Sequence, residues 1–284
     1  MKKFKIISDF ILGDIRGVGG AEYNDHVIFN LLKERDFDVE LIRSREISIN
    51  YLSSLEKDVR LIISNFMFLN DDSKDYIRNN FSYCVWEHDH KYLKNRNPAL
   101  FFNFKAPESH IKNKDFYSDA KFIFCQSDFQ KKIIEKNLKL DNLINLSGNF
   151  WTKDDLKYIE DLSDKNNDKE KIFSVLDSRL QSKNTKGAIE YCQNNNLEYQ
   201  LISDDTYHGF LEKLSKNYKF VFLPTTPETL SRVCVEAKML GVKVLTNSLV
   251  GCKYEDWFKK DRKEIVEYIK AFKKEKIDFL ISEL

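Results

Sequence analysis

Short apolar runs alternate with amphipathic stretches along nearly the whole chain, the pattern of βα units that feed a largely parallel sheet. In the first half this alternation predicts strands at 4–8, 37–42, 59–64, 82–86, 121–125 and 143–146, all in one open sheet. Between them, apolar residues recurring every three or four positions predict helices at 21–34, 72–79 and 128–137, with Val27, Ile28, Leu31 and Leu32 as the clearest stripe. The second half repeats the pattern with strands at 172–176, 199–202, 220–223 and 243–246 and a helix at 207–216. An amphipathic tail from 262 to 284 has length for one or two closing helices. The polar run Asp161-Leu-Ser-Asp-Lys-Asn-Asn-Asp-Lys-Glu-Lys171 has almost nothing to bury and predicts an exposed linker or loop. The fold class is therefore α/β, with one domain over 1–150 and a second, reduced one over 151–284.

Length agrees, since 284 residues make two cores more natural than one. A net charge of +1 excludes a globally basic nucleic-acid binder and shifts the question to local charge. From His90 to Lys139 there are eleven Lys or Arg against five Asp or Glu, interleaved with Tyr92, Phe101, Phe102, Phe104 and Phe116. That mixture suits an anionic partner with apolar or stacking surfaces, against the plain reading of a solvated basic face over buried rings. Five scattered cysteines with no C-x-x-C pair read as buried free thiols in a reducing cytoplasm. No apolar run approaches a spanning length, so any membrane contact is expected to be peripheral.

Four motifs carry candidate chemistry. Gly13-Asp-Ile-Arg-Gly-Val-Gly-Gly-Ala-Glu22 joins the first strand to the first helix, where glycines and free amides suit a phosphate. Asp177-Ser-Arg-Leu-Gln-Ser-Lys-Asn-Thr-Lys-Gly187 leaves a strand end with three cations, Arg179, Lys183 and Lys186. Glu228 and Glu236 stand eight positions apart around the start of a helix that ends at Gly241. In a plain structural account, Glu236 pairs with Arg232 and Glu228 is an early-turn acid favoured by the helix dipole. Tyr83-Cys-Val-Trp-Glu-His-Asp-His-Lys91 ends an apolar strand in titratable residues. Glu87, His88 and His90 have the types of metal ligands but lack a fourth partner, so no metal site is assigned.

In this order and spacing the motifs resemble the retaining family-4 glycosyltransferases, whose GT-B fold has two Rossmann-like domains facing each other across a cleft. The resemblance rests on Gly19-Gly-Ala-Glu22, Ala120-Lys-Phe-Ile-Phe-Cys-Gln-Ser127, the loop from Arg179 to Gly187, and Glu228 with Glu236-Ala237 and Gly241-Val-Lys-Val-Leu245. It implies Gly19 and Gly20 at the donor phosphates, with Arg179 and Lys186 stabilising the departing diphosphate. Glu228 is implied against the donor sugar, Glu236 on the ribose hydroxyls, and His88 beside the transferred sugar. Thr229, Leu230 and Ser231 stand where the family carries Gly-Phe-Gly, a bulkier setting for amides that meet the phosphate. The second domain is also one βα unit shorter than the family pattern.

The implied activity is metal-independent transfer of a sugar from a nucleoside-diphosphate sugar, a donor substrate rather than a cofactor, with retention. A glycan or lipid-linked saccharide is the first expectation for the acceptor, and a hydroxymethylated base in DNA the second. A sugar-nucleotide epimerase and a non-catalytic nucleotide-sugar-binding module remain the other readings.

Overall fold

The computed structural model describes residues 2–14, 19–204 and 206–284. The chain divides into two compact units, Met1–Trp151 with Phe272–Leu284, and Thr152–Ala271.

The first unit is built on six parallel strands: β1 (Lys3–Ser8), β2 (Asp38–Arg43), β3 (Arg60–Ile63), β4 (Ser82–Glu87), β5 (Ile123–Cys125) and β6 (Leu143–Asn145). Their order across the sheet is β2-β1-β3-β4-β5-β6. The register pairs Ile6 with Ile62 and Val85 with Ile123. Residues such as Ile6, Ile62, Val85 and Ile123 are fully buried, as expected when helices cover both faces of a parallel sheet. The crossovers carry α1 (Gly20–Lys33), α2 (Ile49–Ser54), α3 (Asp71–Asn80), α4 (Lys114–Ser118) and α5 (Asp128–Leu138). Asn70 and Ser127 start α3 and α5 by accepting the amides of Ser73 and Gln130, which satisfies donors the helix itself leaves open. The strand order reverses at β1, so the crevice at the carboxyl ends of β1 and β3 is the place where open sheets of this kind take ligands.

The second unit has four parallel strands, β7 (Glu170–Leu176), β8 (Tyr199–Ile202), β9 (Asn217–Phe222) and β10 (Lys243–Thr246), in the order β10-β9-β7-β8. Its helices are α6 (Lys153–Lys165), α7 (Thr185–Asn194), α8 (Tyr207–Lys216), α9 (Arg232–Met239) and the start of α10 (Arg262–Glu283). The reversal here lies at β7, between β8 and β9.

The polar run 161–171 is only in part the expected linker or loop, which is confined to residues 166–169. α6 continues into the run as far as Lys165, and β7 already begins at Glu170. The physical reason is a narrow stripe, Leu156, Ile159 and Leu162 with Ser163, that buries one helix face while the polar residues take the others. Thr152 caps this helix, its hydroxyl accepting the Asp155 amide at 2.9 Å. The tail from 262 forms one helix of 22 residues. No helix among the described residues is long and apolar enough to cross a membrane.

Candidate functional site

Each unit gathers polar side chains at the carboxyl ends of its own strands. In the first unit, Asp9 follows β1 directly and is buried; its carboxylate accepts the amides of Met67 (2.9 Å) and Phe68 (3.1 Å) and the Ser44 hydroxyl. One side chain thus ties together the segments that follow β1, β2 and β3 at the topological switch.

Of the Gly13–Glu22 run, residues 15–18 lie outside the described residues. Gly19 precedes α1, but its amide donates to Glu22 Oε2 at 2.7 Å, so this N–H is engaged by the protein itself rather than open to a phosphate. Burial raises the Glu22 carboxyl above its usual range. Gly20 opens the helix and is exposed.

His88, just past β4, is almost fully enclosed. Gln126, just past β5, donates its side-chain amide to His88 Nδ1 at 2.9 Å and to the Glu87 carbonyl at 3.0 Å. Because Nδ1 accepts, the ring proton sits on Nε2, which donates to Asp25 Oδ1 at 3.3 Å. Ser64 supplies a second hydrogen bond to the same Asp25 oxygen at 2.7 Å. The imidazole is therefore held in one tautomer and one orientation.

Glu87, the last residue of β4, and Lys91 are both fully buried, with Lys91 Nζ 2.7 Å from Glu87 and 3.0 Å from Asp89. Tyr117 donates its hydroxyl to the other Glu87 oxygen. Burial raises the Glu87 carboxyl. Burial opposes the charge on Lys91, but Asp89 and Glu87 outweigh it and hold the amine above its ordinary value. Burial also opposes ionisation of Asp89, yet Lys91 and Arg96 bring it down to about 2. Burial takes His90 down to about 4, and its Nδ1 meets the Tyr92 hydroxyl at 3.1 Å. Glu87 and His90, considered as ligand types from the sequence, are thus committed to a structural network.

In the second unit, the loop after β7 and the loop after β9 meet at the switch point. Lys183 Nζ contacts both oxygens of Glu228, at 2.8 and 2.9 Å. Asn184, in a left-handed conformation, caps α7 by accepting the Gly187 amide and donates to the Leu223 carbonyl at 2.8 Å, fastening one loop to the other. A Cβ at Gly187 would lie 2.4 Å from the Asn184 side chain, which explains glycine there. Lys186, expected beside Arg179, is on the first turn of α7, 89% exposed and 3.7 Å from Glu190. Arg179 is exposed and has no ion pair among the described residues.

Glu228 lies four residues before α9 and is not an early-turn acid. Its backbone is pinned instead, with its amide donating to Leu249 O (2.8 Å) and its carbonyl accepting from Gly251 N (2.9 Å). Thr229, Leu230 and Ser231 are buried behind it. Ser231 caps α9 at φ 73° with no side-chain capping bond, and its buried hydroxyl has no partner among the described residues. The Ser231 hydroxyl thus lies unused at the start of α9, where the Cys234 amide donates to the Ser231 carbonyl at 3.2 Å. Glu236 lies one turn into α9, 3.6 Å from Arg232 as its spacing predicts. It also accepts from the Tyr207 hydroxyl at 2.8 Å, a partner from α8 that sequence spacing gave no reason to expect. Burial and Glu236 together raise the Tyr207 phenol far above its usual range.

The basic segment 90–139 divides. Lys91, Tyr92 and Phe116 are core residues, whereas Lys94, Arg96, Lys105 and Phe102 are exposed.

No protein-family model matches the sequence, and no curated protein matches it. Solved structures do. The catalytic domain of starch synthase IV from Arabidopsis thaliana, bound to ADP and acarbose, superposes with a TM-score of 0.61 at 9% identity, over 99% of this chain and 98% of that one. HepE from Anabaena, in complex with UDP and glucose, gives 0.54 at 12% identity over 100% and 99% of the two chains. An α-glucosyltransferase in complex with UDP and a 13-mer DNA containing an HMU base gives 0.51 at 12% identity over 99% and 90%. These likenesses span the whole chain and establish its fold as GT-B, with one parallel sheet in each unit.

Proposed function

We propose that the chain is a glycosyltransferase of the family-4-like kind, moving a sugar from a nucleoside-diphosphate donor to an acceptor hydroxyl with retention. The observation that carries this reading is the uncapped start of α9, with the unpartnered Ser231 hydroxyl, in the unit where Lys183 and Glu228 join the two switch-point loops. Supporting it, the similar solved structures hold UDP or ADP.

When the bond between the anomeric carbon and the phosphate oxygen breaks, negative charge collects on the diphosphate, and stabilising that charge is the main catalytic task. In this reading the α9 amides, with those of Thr229 and Leu230, receive the diphosphate, and Arg179, Lys183 and Lys186 neutralise it. These cations can carry the charge without a metal ion. Glu228 orients Lys183 and faces the donor sugar. Glu236, fixed by Tyr207, takes the ribose hydroxyls. His88 offers a ring already locked by Asp25 and Gln126, so it positions the sugar and does not relay a proton. Gly20 is the remaining candidate for phosphate contact at α1. The acceptor is a glycan or a lipid-linked saccharide.

Turnover of UDP- and ADP-sugars, with and without saccharide acceptors, tests the reading. Arg179→Ala should lose about 2–4 kcal/mol of transition-state stabilisation, a fall of roughly thirty- to a thousandfold. Turnover at the parent rate would remove Arg179 from the mechanism.

A further inference from the structure

The loop between β4 and α4 holds an apolar tip built to face outward. Leu100 is 66% exposed and Phe102 is 96% exposed, the largest exposures among the big apolar side chains described. Their neighbours point the other way. The Phe101 ring lies 5.0 Å from His110, and the Phe104 ring lies 5.7 Å from Phe129 on α5. Two successive residues, Asn103 (φ 50°) and Phe104 (φ 61°), adopt the left-handed region that side chains disfavour. The surroundings secure that turn. Asn137 donates to the Phe104 carbonyl at 2.8 Å and accepts the Ala106 amide at 2.9 Å, and Lys136 donates to Asn103 Oδ1 at 2.9 Å. Strain kept in place by three side-chain bonds presents Phe102 to solvent, where an aromatic ring gains nothing in water.

The charge around the tip is mainly positive: from 90 to 114 there are six Lys or Arg and one acid, Glu108, which lies 3.5 Å from Lys114. Lys105 follows the tip, Lys136 is bonded within it, and Lys94 precedes it; none of the three has a carboxylate partner among the described residues. Lys112 belongs to the same segment, and its amine is lowered by burial and by the neighbouring cations Lys74 and Arg96.

We propose that this loop is a membrane-docking element: Phe102 and Leu100 enter the interfacial region of an anionic bilayer while Lys94, Lys105 and Lys136 meet its headgroups. An exposed ring with a cationic collar is the combination that one apolar insertion and a basic patch need for stable peripheral attachment. Aromatic rings stack on sugars and apolar wedges enter the base steps of DNA, but an exposed leucine and phenylalanine beside three lysines without carboxylate partners among the described residues match interfacial insertion with headgroup contact, and duplex DNA is one arm of the test. The inference is independent of the transfer chemistry, though under that reading it places the chain where a lipid-linked acceptor resides.

Flotation of the full-length chain with vesicles of phosphatidylglycerol and phosphatidylcholine, against phosphatidylcholine alone, tests it without any donor. The chain should float with the anionic vesicles only, and added salt should weaken the association. Phe102→Asp, at a position with no packing to lose, should leave the thermal midpoint unchanged and lower partitioning about tenfold or more. Lys105→Glu with Lys136→Glu should lower it comparably. No flotation, equal flotation of the Phe102→Asp chain, a dimer that dissolves in that variant, or tighter retention on duplex DNA than on vesicles each overturns the proposal.

Discussion

Lys91→Met tests the buried network that fixes the end of β4. The amine is fully enclosed and bonds Glu87 at 2.7 Å, Asp89 at 3.0 Å and Asn65 at 3.3 Å. Methionine fills much of the same volume but leaves Glu87 buried with only Tyr117 and the Asp89 amide as donors. Removing one partner of a buried ion pair in this way should cost about 3–5 kcal/mol at pH 7. The cost should depend on pH with a definite sign. Glu87 is already raised by burial, and loss of Lys91 raises it further above the unfolded value of about 4.3. A raised carboxyl favours folding where it is protonated, so the variant's deficit should be smallest below about pH 4 and grow as pH rises through the folded-state value. Glu87→Gln with Lys91→Met should recover a large part of the loss, because no unpaired buried charge remains. Urea unfolding read by tryptophan fluorescence in a Trp257→Phe background measures this, since Trp86 and Trp151 both belong to the first unit. A loss below about 1 kcal/mol at pH 7, or one that does not vary with pH, would refute the argument.

Ser231→Gly should have opposite effects on stability and binding. Glycine relieves the φ of 73° and removes a hydroxyl without a partner, raising stability by up to about 1 kcal/mol, while donor affinity falls if that hydroxyl serves the diphosphate. Thermal midpoints with and without nucleotide sugar separate the two, and a lowered midpoint without ligand contradicts the strain argument. Asn184→Ala should cost about 1 kcal/mol or more, from the lost cap of α7 and the lost bond to Leu223, and should loosen Lys183 from Glu228. Unchanged stability together with unchanged turnover would show that the loop needs no such fastening.

The strands and most long helices were legible because their apolar periods are strong. β8 and α8 fall at 199–202 and 207–216 as the pattern predicts. α6 was not legible, because three apolar residues among ten polar ones suffice to bury one face yet read as a linker when composition is averaged. The short α2 and α4 carry too few residues for any period to show. Sheet order left no mark on local pattern, and the site depends on it. Lys183 and Lys186 were both visible as cations, but only the left-handed turn at Asn184 decides that Lys183 meets Glu228 while Lys186 stands exposed on the first turn of α7, open to a ligand. Asp9 shows in the sequence only as a polar residue closing the first apolar run, and its three bonds come from segments far along the chain. Tyr207 and Glu236 are 29 positions apart, a distance no helical or strand period connects.

The central claim is that the start of α9 and the loop after β7 hold the diphosphate of a nucleotide sugar. Hydrogen exchange of the backbone amides, with and without saturating UDP-sugar and ADP-sugar, addresses it most directly. The account predicts slowed exchange concentrated at residues 177–187 and 228–236 with one of these donors. Binding that instead protects other segments of the second unit, or no protection by any nucleotide sugar at millimolar concentration, would contradict it.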